Sequence, residues 1–245
     1  MSNGTTVKKR NGRGIEPLNL DKIHVMCEEA CEGLAGVSAS QVEIQSGIQF
    51  YDGITTAEIQ EILIRSASDL IDLDHPNYQF VAARLLLFAL RKQLFGRMRE
   101  CPTVIDHVKK CVAKGVYDAE ILDLYTEEEY NRLQSFIDHS RDFLFTYAGL
   151  RQVVDKYLVQ DRSSGELYET PQFMYLMIAA TIFSKYPKET RLNYVRNYYD
   201  AISRHKINIP TPIMAGVRTP IRQFASCVLV DIDDTLDSIF SSDMA

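Results

Sequence analysis

The chain has 245 residues, a formal net charge of −6 and a charged fraction of 24%, a balance that argues against both disorder and general nucleic-acid binding. Five cysteines over this length make no disulfide scaffold and fit a reducing compartment. No stretch approaches about 18 uninterrupted apolar residues, so no membrane-spanning helix is expected.

The start, Met1-Ser2-Asn3-Gly4, has no apolar signal region, the pattern of a cytosolic protein. Charge is spread unevenly. Lys8, Lys9, Arg10 and Arg13 open the chain without an acid among them, and Asp231, Asp233, Asp234, Asp237 and Asp243 close it without a base.

Residues 5–20 read as a β-hairpin, with β-branched Thr5-Thr6-Val7, an Asn11-Gly12 turn and an extended run from Ile15 to Leu20. A helix from Asp21 places Ile23, Met26, Cys27, Ala30, Cys31 and Leu34 on one face, and Gly33 or Gly36 closes it. Ser40 with Glu43, and Thr55 with Glu58, form capping-box patterns that open two further helices. A fourth follows Pro76 and runs through Leu87 and Leu94 to Gly96. Residues 97–102 look like a linker. Helices are then expected at 103–114, 118–124, 126–135 (a Thr126–Glu129 capping box) and 140–157, with a second hairpin around Ser163-Ser164-Gly165. Thr170-Pro171 opens a very apolar helix to Phe183, and another runs from Lys188 to about Arg204. Ile209-Pro210-Thr211-Pro212-Ile213 is expected to be irregular, as is the following stretch with Gly216, Pro220 and the basic pair Arg218 and Arg222. Phe224 to Val230 reads as a strand buried on both faces of a parallel sheet, and 233–240 as a loop opening a last helix. A lone central strand has no partner here, so the chain looks cut from a longer fold.

The basic hairpin is the best lead for anion binding. Lys9 and Arg10 flank a tight turn, the next helix begins near Asn19 and Asp21, and Lys92 on the fourth helix could complete a phosphate site. Composition alone favours a solvated charge run. Cys27 and Cys31 lie one turn apart on an apolar face and read as core, and neither they nor the scattered histidines have zinc-ligand spacing. Cys227, among Val and Leu with no second thiol nearby, reads from composition as a small core residue.

Several ordered segments resemble class I ribonucleotide reductase large (alpha) subunits. Val7-Lys8-Lys9-Arg10-Asn11-Gly12 with Leu18-Asn19-Leu20-Asp21-Lys22-Ile23 is similar to the ATP cone that opens them. Phe50-Tyr51-Asp52-Gly53-Ile54, Tyr125 to Glu129, Lys156 to Gln160 and Thr211-Pro212-Ile213-Met214 continue the match. Its strongest part is Gly216 to Pro220 followed by Gln223 to Leu229. The resemblance covers the chain but only about the first third of a family large subunit. It implies a mainly α fold: a four-helix ATP cone with an N-terminal β-hairpin (1–96), then a helical domain (97–215). The first strand of an interrupted ten-stranded α/β barrel would follow (216–245).

By the same resemblance, Lys9, Arg10, Glu16, Asn19, Lys22, Thr56 and Lys92 fall on positions that contact allosteric ATP or dATP. Thr211, Ser226 and Cys227 fall on substrate-site positions, Cys227 being one half of the redox pair that reduces the ribonucleotide. Asp234, Thr235 and Leu236 match a loop that binds a deoxynucleoside triphosphate effector, and no metal is expected in this chain. The implied partners are a complementary C-terminal polypeptide, a metal-containing small (beta) subunit that supplies the radical, and thioredoxin or glutaredoxin. No nucleic-acid polymer or membrane is implied. Gln60 and Ala89 stand where some relatives carry histidine, which implies weakened dATP binding. The alternative is a non-enzymatic nucleotide-sensing cone with a helical interaction domain, although such a sensor has no use for Cys227.

Overall fold

The computed structural model describes residues 4–9, 14–227 and 229–244. The fold is mainly helical with one small sheet at the N-terminal end. Strands β1 (Thr6–Lys8) and β2 (Ile15–Pro17) pair antiparallel, as the hairpin pattern predicts. Their connecting turn, with Asn11, Gly12 and Arg10, lies outside the described residues. A third strand, β3 (Ile54–Thr55), pairs parallel with β1 on its other edge, giving the order β2-β1-β3. Two residues carry no readable period, so local pattern does not reveal β3.

Four helices enclose this sheet: α1 (Leu20–Cys31), α2 (Ala39–Gly47), α3 (Thr56–Asp69) and α4 (Tyr78–Phe95). Both halves of the Thr55–Glu58 capping box form, with Thr55 Oγ1 accepting from Glu58 N at 3.1 Å and Glu58 Oε2 accepting from Thr55 N at 2.8 Å. The Ser40–Glu43 box does not form. α2 begins at Ala39 behind Ser38, and the Glu43 carboxylate faces His24 Nδ1 of α1 at 2.8 Å instead. Gly96, at φ 73°, stops α4 in the left-handed conformation.

The second half contains α5 (Val104–Ala113), α6 (Ile121–Leu124) and α7 (Glu127–Phe136). Its central helix α9 (Pro171–Phe183) lies against α10 (Lys188–Ser203). Between them, the single helix expected at 140–157 breaks into three pieces. A 3₁₀ turn (His139–Leu144) gives way at extended Phe145, Thr146 caps α8 (Tyr147–Gln152), and a π turn (Val153–Tyr157) follows. The new cap restarts the helix, which is why its apolar period is not continuous. A minimal hairpin closes by the Gln160–Leu167 bridge. In α9 every side chain from Phe173 to Ala180 is buried, as a helix apolar on all sides requires.

Two expectations near the C-terminal end are corrected. Thr211-Pro212-Ile213 is helical, forming α11 (Thr211–Gly216), because Pro212 sits in the first turn, where its missing N–H costs nothing. The strand expected at 224–230 is absent among its described residues, which are exposed, Leu229 by 99%. A strand buried on both faces needs neighbours on both edges, and the described residues offer none. The last helix, α12 (Leu236–Met244), follows. No helix among the described residues is long and apolar enough to cross a membrane.

α4 belongs to both halves. Arg91 Nη2 donates to His139 O (2.7 Å) and to the buried Asp142 Oδ2 (3.0 Å). Asp142 Oδ1 accepts from Gln172 Nε2 (2.9 Å), and Gln172 Oε1 accepts from Tyr199 OH (2.7 Å). Close by, the His107 ring stacks on Phe173 with centroids 3.9 Å apart.

Burial lowers His107 from its ordinary 6.5 to about 3, and His139 to about 4. Both imidazoles stay neutral in the folded chain while the unfolded chain protonates them below about pH 6.5. The unfolded state therefore binds more protons between pH 6.5 and about 4, and stability falls as pH falls through that window. His24, raised chiefly by its hydrogen bond to Glu43, acts in the opposite sense. We expect the melting temperature to drop between pH 7 and pH 5, and His107→Gln to reduce that drop; an equal drop in the variant would assign it elsewhere.

Candidate functional site

Asp52 fixes the sheet that floors the site: its Oδ1 accepts from both the backbone N–H and the hydroxyl of Thr6, each at 2.7 Å. The next residue, Gly53, takes φ 79° and donates its N–H to Thr6 O at 2.9 Å, a turn that disfavours a side chain by backbone strain. Together they bring Thr55 and Thr56, at the start of α3, beside β1 and β2.

A cavity of about 430 Å³ opens between β2, the first turns of α1 and α3, and the end of α4. Its apolar lining is Val7, Pro17, Leu18, Ile23, Val25, Met26, Ile59 and Met98; its polar rim is Glu16, Asn19, Asp21, Lys22, Thr56, Gln60 and Lys92. An apolar body with a few converging polar groups, at a volume within the usual range of about 300–1,000 Å³, is the form of a small-molecule site. Asn19 caps α1, its Oδ1 accepting from Lys22 N at 3.1 Å. Lys9 Nζ lies 2.7 Å from Glu16 Oε1, and Lys22 Nζ lies 3.9 Å from the same oxygen. The hydrogen bond from Lys9 holds the Glu16 carboxyl below its ordinary range. Lys22 and Lys92 in the rim of an apolar cleft, with Lys9 beside it, suit a ligand with an apolar body and an anionic group.

The fold thus gathers Glu16, Asn19, Lys22, Thr56 and Lys92 around one space and sets Lys9 against its rim. Arg10 lies outside the described residues. Gln60 lines this cavity and also, with Ala89, a neighbouring cleft of about 510 Å³ where α3 and α4 face Arg151 and Asp155.

The other predicted residues stand apart. Thr211, the exposed first residue of α11, has its Oγ1 3.2 Å from Tyr157 OH. Ser226 and Cys227 are exposed, with Ser226 Oγ 3.7 Å from Cys227 Sγ, and the other cysteines, Cys27, Cys31, Cys101 and Cys111, are free thiols in the two helical halves. Asp234 is exposed, Thr235 Oγ1 caps α12 by accepting from Ser238 N at 3.2 Å, and Leu236 is 72% exposed. Among the described residues no group of three or more His, Cys, Asp or Glu side chains could hold a metal ion.

Sequence reasoning missed Arg218. It is fully buried and ion-paired with the equally buried Glu169, although the Pro- and Gly-rich setting suggests exposure. It missed the role of Asp52 as well, for which the Asp-Gly turn was the one available signal.

Two known protein families match parts of this chain. Residues 5–93 match the ATP cone domain, and residues 143–222 match the ribonucleotide reductase all-alpha domain. The chain carries an ATP cone and a ribonucleotide reductase all-alpha domain. It is 54% identical over 245 residues to the ribonucleoside-diphosphate reductase 1 subunit alpha of Escherichia coli, covering 100% of this chain and 32% of that relative. The corresponding alpha subunit of Haemophilus influenzae is 55% identical over 239 residues, covering 98% of this chain and 31% of the relative. That of phage T4 is 46% identical over 206 residues, covering 83% and 27%. The chain spans about a third of the length of these relatives, a match consistent with an N-terminal portion of such a subunit.

Because the Thr55 cap sets the start of α3 and so the place of Thr56, Thr55→Ala is expected to lower stability by about 1 kcal/mol, read from the denaturant midpoint. An unchanged midpoint would show that the box contributes nothing.

Proposed function

We propose that this chain is the nucleotide-regulated N-terminal part of a class I ribonucleoside-diphosphate reductase large subunit. The observation that carries the reading is the convergence of Glu16, Asn19, Lys22, Thr56 and Lys92, five family-matched positions, on one cavity. In this reading residues 1–96 are the cone, 97–215 the helical domain and 216–245 the start of the catalytic barrel. The phosphates of ATP or dATP lie toward Lys9, Lys22 and Lys92, with Arg10 as a further cation. The base lies against Ile23, Met26 and Ile59. Glu16, Asn19 and Thr56 supply hydrogen bonds to the sugar and the phosphates.

Thr211 and Ser226 contact the ribonucleoside diphosphate, and Cys227 is one thiol of the pair that becomes a disulfide when the ribose 2′-hydroxyl leaves as water. The two electrons for that reduction come from the dithiol, and thioredoxin or glutaredoxin restores it by thiol–disulfide exchange. The second thiol comes from a complementary C-terminal polypeptide, and the radical from a metal-containing small subunit, all in a reducing cytosol. Asp234, Thr235 and Leu236 form part of the site for a deoxynucleoside triphosphate effector that sets substrate choice. Gln60 and Ala89, lacking imidazole donors, weaken inhibition by dATP.

A second reading, a nucleotide sensor without catalysis, draws on one observation: the nucleotide cavity is walled by described residues of this chain, whereas Cys227 is exposed. The presence of the matched Thr211 and Ser226-Cys227 favours the enzyme.

Two measurements test the proposal. Calorimetric titration should show ATP binding that Lys9→Ala weakens about tenfold, a loss of roughly 1.4 kcal/mol; equal affinity would mean that the cavity is not the nucleotide site. Mixed with the complementary polypeptide, the small subunit and a thiol reductant, the chain should support repeated reduction of a nucleoside diphosphate. Cys227→Ser should abolish multiple turnover and leave ATP affinity intact, and normal turnover by the variant overturns the redox role.

A further inference from the structure

Arg218 and Glu169 are both 0% exposed. Arg218 Nε donates to both carboxylate oxygens of Glu169, at 3.1 and 2.9 Å, and Nη2 donates to Oε1 as well. The remaining donors go to backbone: Nη2 to Tyr157 O at 3.0 Å and Nη1 to Met214 O at 2.5 Å. Glu169 in turn accepts from Val159 N at 2.7 Å and from the Tyr117 hydroxyl. One guanidinium therefore fastens the end of the π turn and the middle of α11 to the residue that leads into α9.

Burying such a pair is not the cheapest way to fill the space, because apolar side chains of similar volume are often as stable or more so. What the pair supplies is direction, since the planar fork of arginine fixes several acceptors at once. The two carbonyls it holds belong to Tyr157 and to Met214 of α11, and the Tyr157 hydroxyl meets Thr211 Oγ1, also of α11, at 3.2 Å.

We propose that Tyr157, held by the Arg218–Glu169 pair, is a positioning residue that orients the Thr211 hydroxyl toward the nucleotide substrate. The proposal rests on the reading of Thr211 as a substrate contact and adds to it the residues that set its geometry. A free threonine rotor at an exposed helix start samples several rotamers. A hydroxyl partner on a clamped backbone selects one of them.

The test uses the assembled complex described above. Tyr157→Phe removes one hydroxyl and should raise the KM for nucleoside diphosphate about fivefold, with kcat within twofold and ATP affinity unchanged. In a double-mutant cycle, Tyr157→Phe together with Thr211→Val should be no worse than Thr211→Val alone. An unchanged KM for Tyr157→Phe, or additive effects in the cycle, overturns the positioning role. The clamp is read separately on this chain alone. Replacing both members by Met (Arg218→Met with Glu169→Met) leaves no unpaired buried charge, and should open the amides of residues 213–217 to hydrogen exchange while α9 and α10 stay protected. Unchanged protection at 213–217 overturns the clamp whatever the complex does. A wild-type complex without turnover overturns the functional reading and, with it, the role assigned to Thr211, while the exchange experiment still decides the clamp.

Discussion

Burial of the Arg91 guanidinium against Asp142 takes two charges out of water, a penalty of several kcal/mol per ion that only tight, complementary bonding repays. The Asp142 carboxylate meets that condition through both oxygens, one facing Arg91 and the other Gln172, which Tyr199 of α10 holds in turn. Burial still pushes the Asp142 carboxyl up, against the pull of Arg91. Arg91 also lies over the Phe143 ring, 5.6 Å from its centroid. Removing either charge alone strands the other, so α4 is committed to both halves, and with it everything α4 carries.

That commitment matters for the cavity lined by Glu16, Lys22 and Thr56, because its Lys92 is the residue next to Arg91. One helix presents a cation to the cone cavity and, one position earlier, a charge to the core of the second half. The neighbouring cleft, which shares Gln60 with this cavity, lies between α3, α4 and the stretch carrying Arg151 and Asp155. A ligand that moves α4 therefore acts on a helix already tied to the 3₁₀ turn, α9 and α10. The cone is welded to its neighbour through buried polar contacts as well as through apolar area.

The C-terminal stretch shows the opposite economy. Up to Thr219 the chain is anchored, Arg218 and Thr219 being buried, yet from Pro220 to Leu236 the described residues are exposed. Phe224, Leu229 and Val230 lie in solvent by 46%, 99% and 47%. These are the residues whose apolar run signals a central strand, and a run of that kind finds its stability only against neighbouring strands. Pattern and environment disagree there because strand formation is a pairwise property while helix formation is largely local.

The sequence by itself determined the local punctuation of this protein. The Thr55–Glu58 and Thr126–Glu129 boxes, the Gly96 stop and the apolar run of α9 each act within one or two helical turns, so they are legible without a fold. The cone pattern was legible as well, though its residues stood only as separate points along the chain. The tertiary structure decided what no local signal encodes: the pairing of β3 with β1, the start of α2 behind Ser38, and the burial of Arg218 on Glu169. It also decided that Lys92 and Thr56 share a cavity with Glu16 and Lys22. Those outcomes depend on partners tens of residues away, whose burial and geometry exist only once the helices have packed.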